Sequence, residues 1–433
     1  MNRALSLYIH IPFCQRKCHY CDFNTYAGMN HYIAPYLAAL QREIANWAPA
    51  LAGWRVETVF FGGGTPSLMS GQQAQELLDL CRASYAIAPD AEVTLEANPG
   101  TVDMPRLEAF RAAGVNRLSF GAQSFDPAEL RWLGRIHEKD DIGNAVRMAR
   151  TAGFQRVNLD LIYGLPEQPL ARWQRSLDAA LSLGPDHLSL YALSVEEGTP
   201  LAQWVASGRV REPDPDLAAD HYLASAETLE RAGFLQYEIS NWANSGQECR
   251  HNLTYWRNAP YLGLGAGAHS SFGGFRFFGT LLPQDYIRGL TDKESAPHVL
   301  RQAQAIQALA RDERGNNSAI AGIIPSLSPI AELDLVDAET DLSDTLILGL
   351  RLSEGISFRR VRERHGVDVP ARYERTIREM QDAGLLLADD ARMWLTPRGR
   401  LLSNEVFLRF LPSITIPSPL GGPKVVSRVE PEG

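Results

Sequence analysis

The chain has 433 residues, of which 45% are hydrophobic and 21% charged, the composition of a folded globular protein rather than of a disordered, collagen-like or coiled-coil one. This length favours two or three domains. Asp and Glu total 51 against 42 for Lys and Arg, a formal net charge of -9, which argues against a general binding surface for nucleic acid or anionic lipid.

The first residues and the cysteines indicate the compartment. Ser6 and His10 interrupt the apolar residues before Pro12, so the segment lacks the core of a secretory signal. No apolar run in the sequence is long enough to span a membrane. The chain has five cysteines, an odd number, and three of them fall between positions 14 and 21. This crowding indicates a ligand cluster in a reducing compartment rather than disulfides, so we expect a cytoplasmic protein.

Residues 5–193 repeat one pattern, in which a short β-branched or aromatic run is followed by turn residues and an amphipathic stretch. The pattern predicts strands at 5–11, 57–61, 92–97, 117–121, 156–162 and 187–193. It predicts helices at 31–47, 71–85, 103–113, 126–152 and 170–183. Strands that alternate with helices at this spacing pair in parallel through right-handed crossovers. We therefore predict an α/β fold with a partial (β/α)6 barrel over residues 1–200.

The pattern becomes irregular after residue 200. A helix is predicted over 214–233 and an aromatic, glycine-rich region over 237–278, so 201–296 is assigned to an irregular α+β extension. Residues 297–411 are predicted to form a helical, winged-helix-like C-terminal domain with a hairpin near 388–396. We expect a structural or docking role for this domain rather than nucleic-acid recognition. The proline-rich end, 412–433, is predicted to be a disordered tail.

The strongest chemical signal is the triplet Cys14, Cys18 and Cys21, spaced Cys-x3-Cys-x2-Cys after the first predicted strand. Three thiolates this close can bind three irons of a cubane cluster and leave the fourth iron open to an external ligand. A structural zinc site is the alternative. It needs four ligands, and the only nearby candidate is His19, inside the same loop.

Polar or glycine residues follow the other predicted strands. They are Gly62, Gly63, Gly64, Thr65, Glu96, Asn98, Gln123, Asp160 and Tyr191. The carboxyl ends of parallel barrel strands form one face, where binding sites are built, so these residues should converge on the cysteine loop. Glu96 and Asp160 can accept hydrogen bonds from hydroxyl or ammonium groups, and Arg135 can meet a carboxylate.

Together these motifs resemble those of radical S-adenosylmethionine (SAM) proteins, which implies that the partial barrel is of the radical SAM type. The resemblance rests on the cysteine loop and on 62–67, 95–99, 120–125 and 160–166, and it extends over about residues 5–411. It points to the branch that contains oxygen-independent coproporphyrinogen III oxidase and the haem chaperones. It implies that Cys14, Cys18 and Cys21 hold a [4Fe-4S] cluster whose open iron takes the amino and carboxylate groups of SAM. The SAM pocket it implies is lined by Tyr8, Tyr20, Gly63, Gly64, Thr65, Glu96, Gln123, Arg135 and Asp160.

Within this branch, three features distinguish the oxidases from the chaperones. The oxidases resemble Cys-x3-Cys-x2-Cys-x-Cys, where this chain has Phe23 in the last position. They also carry a long segment before the position of Tyr8, which only seven residues precede here. The stretch from His251 to Trp256 instead resembles the His-Asn-x-x-Tyr-Trp motif of the chaperones. Because a neutral imidazole is a common axial ligand of haem iron, we predict His251 as a haem ligand and His269 as a second candidate.

The sequence therefore predicts a haem chaperone that binds haem and transfers it to an acceptor protein, on a scaffold that binds a [4Fe-4S] cluster and SAM. The alternative is an oxygen-independent coproporphyrinogen III dehydrogenase, which converts propionates to vinyl groups by radical decarboxylation. Whether the chain is an enzyme is left open at this point. A respiratory cytochrome complex fits the family as an acceptor, although no residue of the chain identifies it.

Overall fold

The computed structural model describes residues 3–291, 324–412, 415–417 and 423–425 of the chain. The chain forms two compact units. The first contains the residues up to Tyr255 together with Ala259–Leu335, and the second contains Trp256–Asn258 together with the residues from Val336 onwards.

A twelve-stranded sheet organises the first unit. In chain order, and including the two short strands β2 and β3 that pair separately, the strands of this unit are β1 (Arg3–Ile11), β2 (Phe13–Cys14), β3 (Tyr26–Ala27), β4 (Trp54–Gly63), β5 (Ala86–Ala97), β6 (Arg117–Gln123), β7 (Arg156–Tyr163), β8 (His187–Ala192), β9 (Leu235–Glu238), β10 (Asn241–Ala243), β11 (Tyr261–Leu264), β12 (His269–Phe272), β13 (Phe275–Gly279) and β14 (Ile330–Leu335). Across the sheet their order is β14-β13-β12-β11-β1-β4-β5-β6-β7-β8-β10-β9.

The six predicted strands are all present, as β1 and β4 to β8, and they are parallel neighbours in chain order. This confirms the partial-barrel prediction. A seventh parallel strand, β11, pairs with β1 and comes from the region predicted to be irregular. The other strands of the twelve-stranded sheet pair antiparallel, and the separate short strands β2 and β3 pair in parallel. Strands from both sides of residue 200 thus belong to one sheet.

The helices of the first unit connect these strands. They are α1 (Ile33–Trp47), α2 (Gly71–Ser84), α3 (Met104–Ala113), α4 (Pro127–Leu133), α5 (Lys139–Thr151), α6 (Leu170–Ser182), α7 (Pro200–Ala206), α8 (Pro215–Arg231), α9 (Arg250–Trp256) and α10 (Pro283–Thr291). The single helix predicted over 126–152 is wrong, because α4 and α5 divide it. Gly134 ends α4 with a left-handed backbone, φ 79°, a conformation that favours glycine and stops a helix.

Alternation along the central strands separates an apolar face from a polar one. Successive side chains of a strand point to opposite faces. On β6, for example, Leu118 and Phe120 are buried in the apolar layer while Ser119 hydrogen-bonds across the inner face to β7. The inner face is lined by Ser6, Tyr8, His10, Thr58, Phe60, Glu92, Thr94, Glu96, Arg117, Ser119, Asn158, Asp160, His187 and Ser189. The barrel therefore has a polar interior, and the helices cover its apolar exterior.

The second unit has the element order of a winged helix. Its elements are α11 (Ala338–Leu350), β15 (Ile356–Ser357), α12 (Phe358–His365), α13 (Val369–Arg372), α14 (Glu374–Asp382), β16 (Leu386–Ala388), β17 (Arg392–Leu395), α15 (Pro397–Leu401), α16 (Ser403–Phe407), β18 (Thr415–Pro417) and β19 (Pro423–Val425). Strands β15, β17 and β16 form one sheet in that order, so the predicted hairpin is present. Residues 297–323 of the predicted domain, and most of the predicted tail over 412–433, lie outside the described residues.

The separation of the two faces can be tested by truncating one side chain of the apolar layer. Leu159 on β7 is fully buried, so Leu159→Ala should lower the free energy of unfolding by about 2–5 kcal/mol. Leu223→Ala removes the same atoms from an exposed position on α8 and should change it by about 0.5 kcal/mol or less. Urea-induced unfolding followed by circular dichroism measures both. Equal losses for the two variants would contradict this assignment of the apolar face.

Candidate functional site

The inner face of the sheet encloses a cavity of about 500 Å³. All three cysteines of the loop line it, together with eight of the nine residues predicted to bind SAM: Tyr20, Gly63, Gly64, Thr65, Glu96, Gln123, Arg135 and Asp160. The ninth, Tyr8, lies behind the cavity wall, with its ring stacked on Phe60. The carboxyl ends of the parallel strands and the loops that follow them thus bring these residues to one place.

The cysteine loop presents its three thiols to this cavity. Cys14, on β2, is buried and accepts a hydrogen bond from Thr65 Oγ1 at 3.5 Å. Cys18 Sγ accepts one from Arg135 Nη1 at 3.2 Å. Burial raises the pKa of the Cys14 and Cys21 thiols. Within the described residues no group of three or more His, Cys, Asp or Glu is arranged around a single metal ion; in a cubane cluster, by contrast, each thiolate binds a different iron.

His10 and Asn24 hold the far end of this loop against the sheet, and sequence reasoning missed both. The Asn24 carbonyl can only accept a hydrogen bond, so His10 Nε2 donates to it, at 2.9 Å, and Nδ1 accepts from the Tyr8 hydroxyl, at 3.0 Å. Burial lowers the pKa of His10 to about 4, so the ring is neutral. The Asn24 side chain donates to the carbonyls of Ala266 and Leu281. Tyr8 therefore acts on the site by orienting His10.

The glycines after β4 allow the strand end to approach the loop closely. Gly63 has φ 108°, and a Cβ there would lie 2.3 Å from the His10 ring. A Cβ on Gly64 would lie 2.7 Å from the Phe13 carbonyl oxygen. The backbone N–H groups of Gly64 and Thr65 donate to the carbonyls of Ile11 and Phe13, respectively. These glycines therefore fix the position of Cys14 through backbone contacts.

Two half-buried carboxyl groups and a half-buried guanidinium line the cavity. Burial and the charge of Asp160 raise the pKa of Glu96 to about 8, so Glu96 is protonated at neutral pH. Its Oε2 accepts from Gly63 N at 3.1 Å. Burial also raises the pKa of Asp160, which accepts hydrogen bonds from Asn158 and Ser119. Arg135 donates to the Gly121 carbonyl at 2.6 Å, and its buried Nε has no partner among the described residues.

These groups fit a zwitterionic ligand of the size of SAM. The carboxyl oxygens of Glu96 and Asp160 can accept hydrogen bonds from ammonium or hydroxyl groups, and Arg135 Nε is a donor that protein atoms leave unused. Gln123 adopts a left-handed backbone, φ 67°, at a break in the β6–β7 register. Such strain in a non-glycine residue is frequent at ligand sites.

The motif that contains His251 lies on α9, which enters the polar interior beside the middle of the strands. Glu92 accepts hydrogen bonds from the backbone N–H groups of Arg250 and His251, at 3.2 and 3.1 Å. A carboxylate in this position stabilises the first turn of a helix. Ser6 of β1 contacts Thr254 of α9, with 2.7 Å between the hydroxyl oxygens. The α9 helix is thereby fixed to both β1 and β5.

The side chain of His251, the predicted haem ligand, is enclosed by protein groups. Its side chain is 1% exposed and does not line the cavity. Nδ1 lies 2.7 Å from Thr58 Oγ1 and Nε2 lies 2.8 Å from the Tyr255 hydroxyl. Burial lowers its pKa to about 3. Both nitrogens thus have hydroxyl partners, one of them on β4, and no local sequence pattern reveals a partner from so distant a part of the chain.

Other residues of the region take different positions. Asn252 is the residue of the motif that lines the cavity. His269 is exposed and stacks on Phe278, with 4.9 Å between ring centroids. Phe23 lines the cavity and is 64% exposed. The alternation of polar side chains along β5 to β8 was the signal that could have located the interior network from the sequence.

Comparison with known proteins agrees with the fold. Residues 8–180 match the model of the radical SAM superfamily, and residues 336–402 match the model of the HemN C-terminal domain. The solved structure of coproporphyrinogen III oxidase (HemN) from Escherichia coli superimposes with a TM-score of 0.75 and 23% identity, covering 94% of this chain and 90% of that one. At this identity it shows a shared fold. The chain has the architecture of a radical SAM protein.

Proteins named "Heme chaperone HemW" match over nearly the whole length. The chain is 35% identical to the one from Bacillus subtilis, over 94% of this chain and 99% of that protein. It is 37% identical to the one from Mycobacterium tuberculosis, over 94% of each. The chain therefore belongs to the HemW family of radical SAM proteins.

The raised pKa of Glu96 predicts a pH dependence of stability. Since the folded protein holds this proton up to about pH 8 while the unfolded chain loses it from about pH 4.5, its contribution to stability is complete at low pH and is lost as the pH rises through this range. Relative to Glu96→Gln, the wild type should lose about 1.4 kcal/mol per pH unit between about pH 5 and 8.

Urea unfolding of the cofactor-free protein at several pH values measures this difference. Glu76→Gln, on the exposed face of α2, is the matched control and should keep the wild-type slope. If Glu96→Gln also kept that slope, Glu96 would not be protonated in the folded protein at neutral pH.

Proposed function

We propose that the chain is a haem chaperone, which binds haem and passes it to an acceptor protein, on a scaffold that carries a [4Fe-4S] cluster and SAM. The observation that carries the proposal is similarity over almost the full length to proteins named "Heme chaperone HemW". Phe23 supports it over a porphyrinogen dehydrogenase, because the oxidase motif has a cysteine at this position and this chain places an exposed aromatic ring there.

Cys14, Cys18 and Cys21 would hold the cluster, which when bound supplies one-electron chemistry to SAM at its open iron. The chain's own residues prepare this site. Thr65 and Arg135 donate hydrogen bonds to two of the thiols, and hydrogen bonds to sulfur favour the thiolate form that metals bind. His10 and the glycines after β4 position the loop, and protonated Glu96 reduces the negative charge beside the ligand.

Haem is the cargo, and the chain offers apolar surface for a porphyrin near the cavity. Phe23 and Tyr191 both line the cavity with large exposed fractions, and flat aromatic rings suit a porphyrin face. Axial ligation by His251 requires the ring to release Thr58 or Tyr255, since each nitrogen has a hydroxyl partner. The proposal therefore includes a local rearrangement of α9 or of the Tyr255 side chain when haem binds.

The acceptor and the location complete the proposal. Within the residues that the structure describes, no helix is both long and apolar enough to cross a membrane. A cytoplasmic location is proposed from the cysteine usage of the sequence. The acceptor is proposed to be a haem protein such as a respiratory cytochrome complex, consistent with transfer of intact haem.

The cluster assignment predicts the effect of removing one ligand. Cys18→Ser should abolish the brown absorbance and most of the iron of anaerobically reconstituted protein, because a serine hydroxyl is a poor ligand for a cluster iron. Cys81→Ala, a buried cysteine of α2 away from the cavity, is the control and should keep the iron. Iron analysis and visible absorbance measure both, and a Cys18→Ser protein with wild-type iron would refute the cluster.

The haem assignment is tested by anaerobic titration of haem followed by the Soret band. The reconstituted wild type should bind one haem saturably. His251→Ala should weaken binding about tenfold or more and shift the Soret maximum, because an axial ligand is lost. His269→Ala tests the second candidate and should leave the affinity for haem and the Soret maximum unchanged. Absence of saturable binding to the wild type would refute the chaperone proposal, and turnover of coproporphyrinogen III to protoporphyrinogen IX would establish the dehydrogenase.

A further inference from the structure

Arg117 is a buried cation whose hydrogen-bonding capacity the described residues do not use. It is the first residue of β6, is 3% exposed and lines the cavity. Among the described residues its guanidinium has no hydrogen-bond partner and no ion pair; Glu92 and Asp160 act on it only through longer-range charge. Burying N–H donors without acceptors is costly, so the position indicates a ligand.

Thr94, on the neighbouring strand, is a second donor without a partner. Its hydroxyl oxygen is buried and makes no hydrogen bond to the described residues. Thr94 and Arg117 are register partners in the parallel pair β5–β6, so their side chains leave the sheet on the same face from backbones roughly 4.8 Å apart. Thr94 and Arg117 are therefore adjacent hydrogen-bond donors, and both lack an acceptor oxygen.

The carboxylates of Glu92 and Asp160 do not supply this acceptor, because they accept hydrogen bonds from other groups. Glu92 accepts from the backbone of Arg250 and His251 and lies 3.5 Å from Arg156. Asp160 accepts from Asn158 and Ser119. Their charges balance that of Arg117 at a distance, but their oxygens point to these partners. A planar guanidinium beside a hydroxyl is suited to a carboxylate, which can take two parallel hydrogen bonds from it.

We propose that Arg117 forms the floor of the cavity and binds the carboxylate of a ligand other than SAM, and that the Thr94 hydroxyl, which is buried beside Arg117 and does not line the cavity in this structure, turns to the same carboxylate when the ligand binds. Arg117 and Gln123 are the two ends of β6, which places their Cα atoms roughly 20 Å apart at about 3.3 Å per residue. The cysteine loop and Gln123 belong to the opposite end from the floor. Asn252 also lines this cavity, so the floor site gives the His-Asn-x-x-Tyr-Trp motif a second role, beside the ligand.

The carboxylate has two possible sources, a propionate arm of haem or a separate small organic acid. The haem source rests on the proposed function. Three probes separate these sources, and the variants Arg117→Lys and Thr94→Val test the two residues of the proposed site. The first keeps the charge and loses the planar fork, and the second removes one unpartnered hydroxyl and should leave stability unchanged or raise it. Arg156→Lys, beside Glu92 but not lining the cavity, is the matched control.

The experiment compares three probes with each anaerobic, reconstituted protein: haem and haem dimethyl ester, followed by the Soret band, and sodium propionate, followed by calorimetry. If the propionate arm of haem occupies the floor, wild type and Arg156→Lys will bind haem roughly 10- to 100-fold more tightly than the ester. Arg117→Lys and Thr94→Val will lose most of this preference.

If a separate small acid occupies the floor, haem and its ester will bind alike, and propionate will bind the wild type but neither floor variant. The proposal is overturned if the wild type neither prefers haem to its ester nor binds propionate, or if both floor variants behave as the wild type does; Arg117 is then a counter-charge for Glu92 and Asp160. A wild type that binds propionate but no haem would support the floor site and refute the chaperone function.

Discussion

The rest of the structure depends on the hydrogen bonds among the polar side chains on the inner face of the parallel strands. Asn158 is the centre of this network: its amide donates to Ser119 and Asp160, each at 2.7 Å, and its carbonyl oxygen accepts from His187 and Ser189. Each buried polar group left without a partner costs about 1–3 kcal/mol. A barrel with a polar interior is therefore stable only if neighbouring strands keep a register that satisfies these groups.

A few polar groups are exceptions to this rule, because no described residue forms a hydrogen bond with them. Among the described residues, Arg135 Nε and Thr94 Oγ1 are buried without hydrogen bonds, and the Arg117 guanidinium has charged neighbours but no acceptor. Arg135 Nε lies beside the cysteine loop. Arg117 lies at the amino end of β6, and Thr94 is its neighbour on β5. The same cavity thus combines a ligand position at the carboxyl ends of the strands with a second position on its floor.

Backbone contacts fix the position of the cysteine loop. Its thiols reach the cavity because Gly63 and Gly64 allow the end of β4 to pack against β2, where Cys14 lies. Asn24 ties the other end of the loop to the segment that follows β11, and a neutral His10 joins Asn24 to Tyr8. The glycine motif and Tyr8 of the first strand therefore help to position the cysteines.

The sequence by itself determined the parallel α/β architecture and the grouping of the three cysteines with most of the residues predicted to bind SAM around one cavity. These features depend on local patterns: strand and helix periodicity, the spacing of three cysteines, and polar residues placed where strands end. Gly134, which divides residues 126–152 into two helices, was also visible in the local sequence, although an unbroken helix was predicted there. Parallel topology alone then carries the strand ends to one face, which is why the sequence pattern was enough to group Glu96, Gln123 and Asp160.

Only the tertiary structure decided the surroundings of His251, the roles of His10 and Asn24, and the unpartnered state of Arg117. Each depends on residues distant in the chain: Thr58 and Tyr255 enclose His251, residues after β11 hold Asn24, and the β5–β6 register sets Thr94 beside Arg117. A histidine beside aromatic residues looks alike in sequence whether its nitrogens are free or bonded. The difference comes from strand register and burial, which arise only when the whole sheet is assembled.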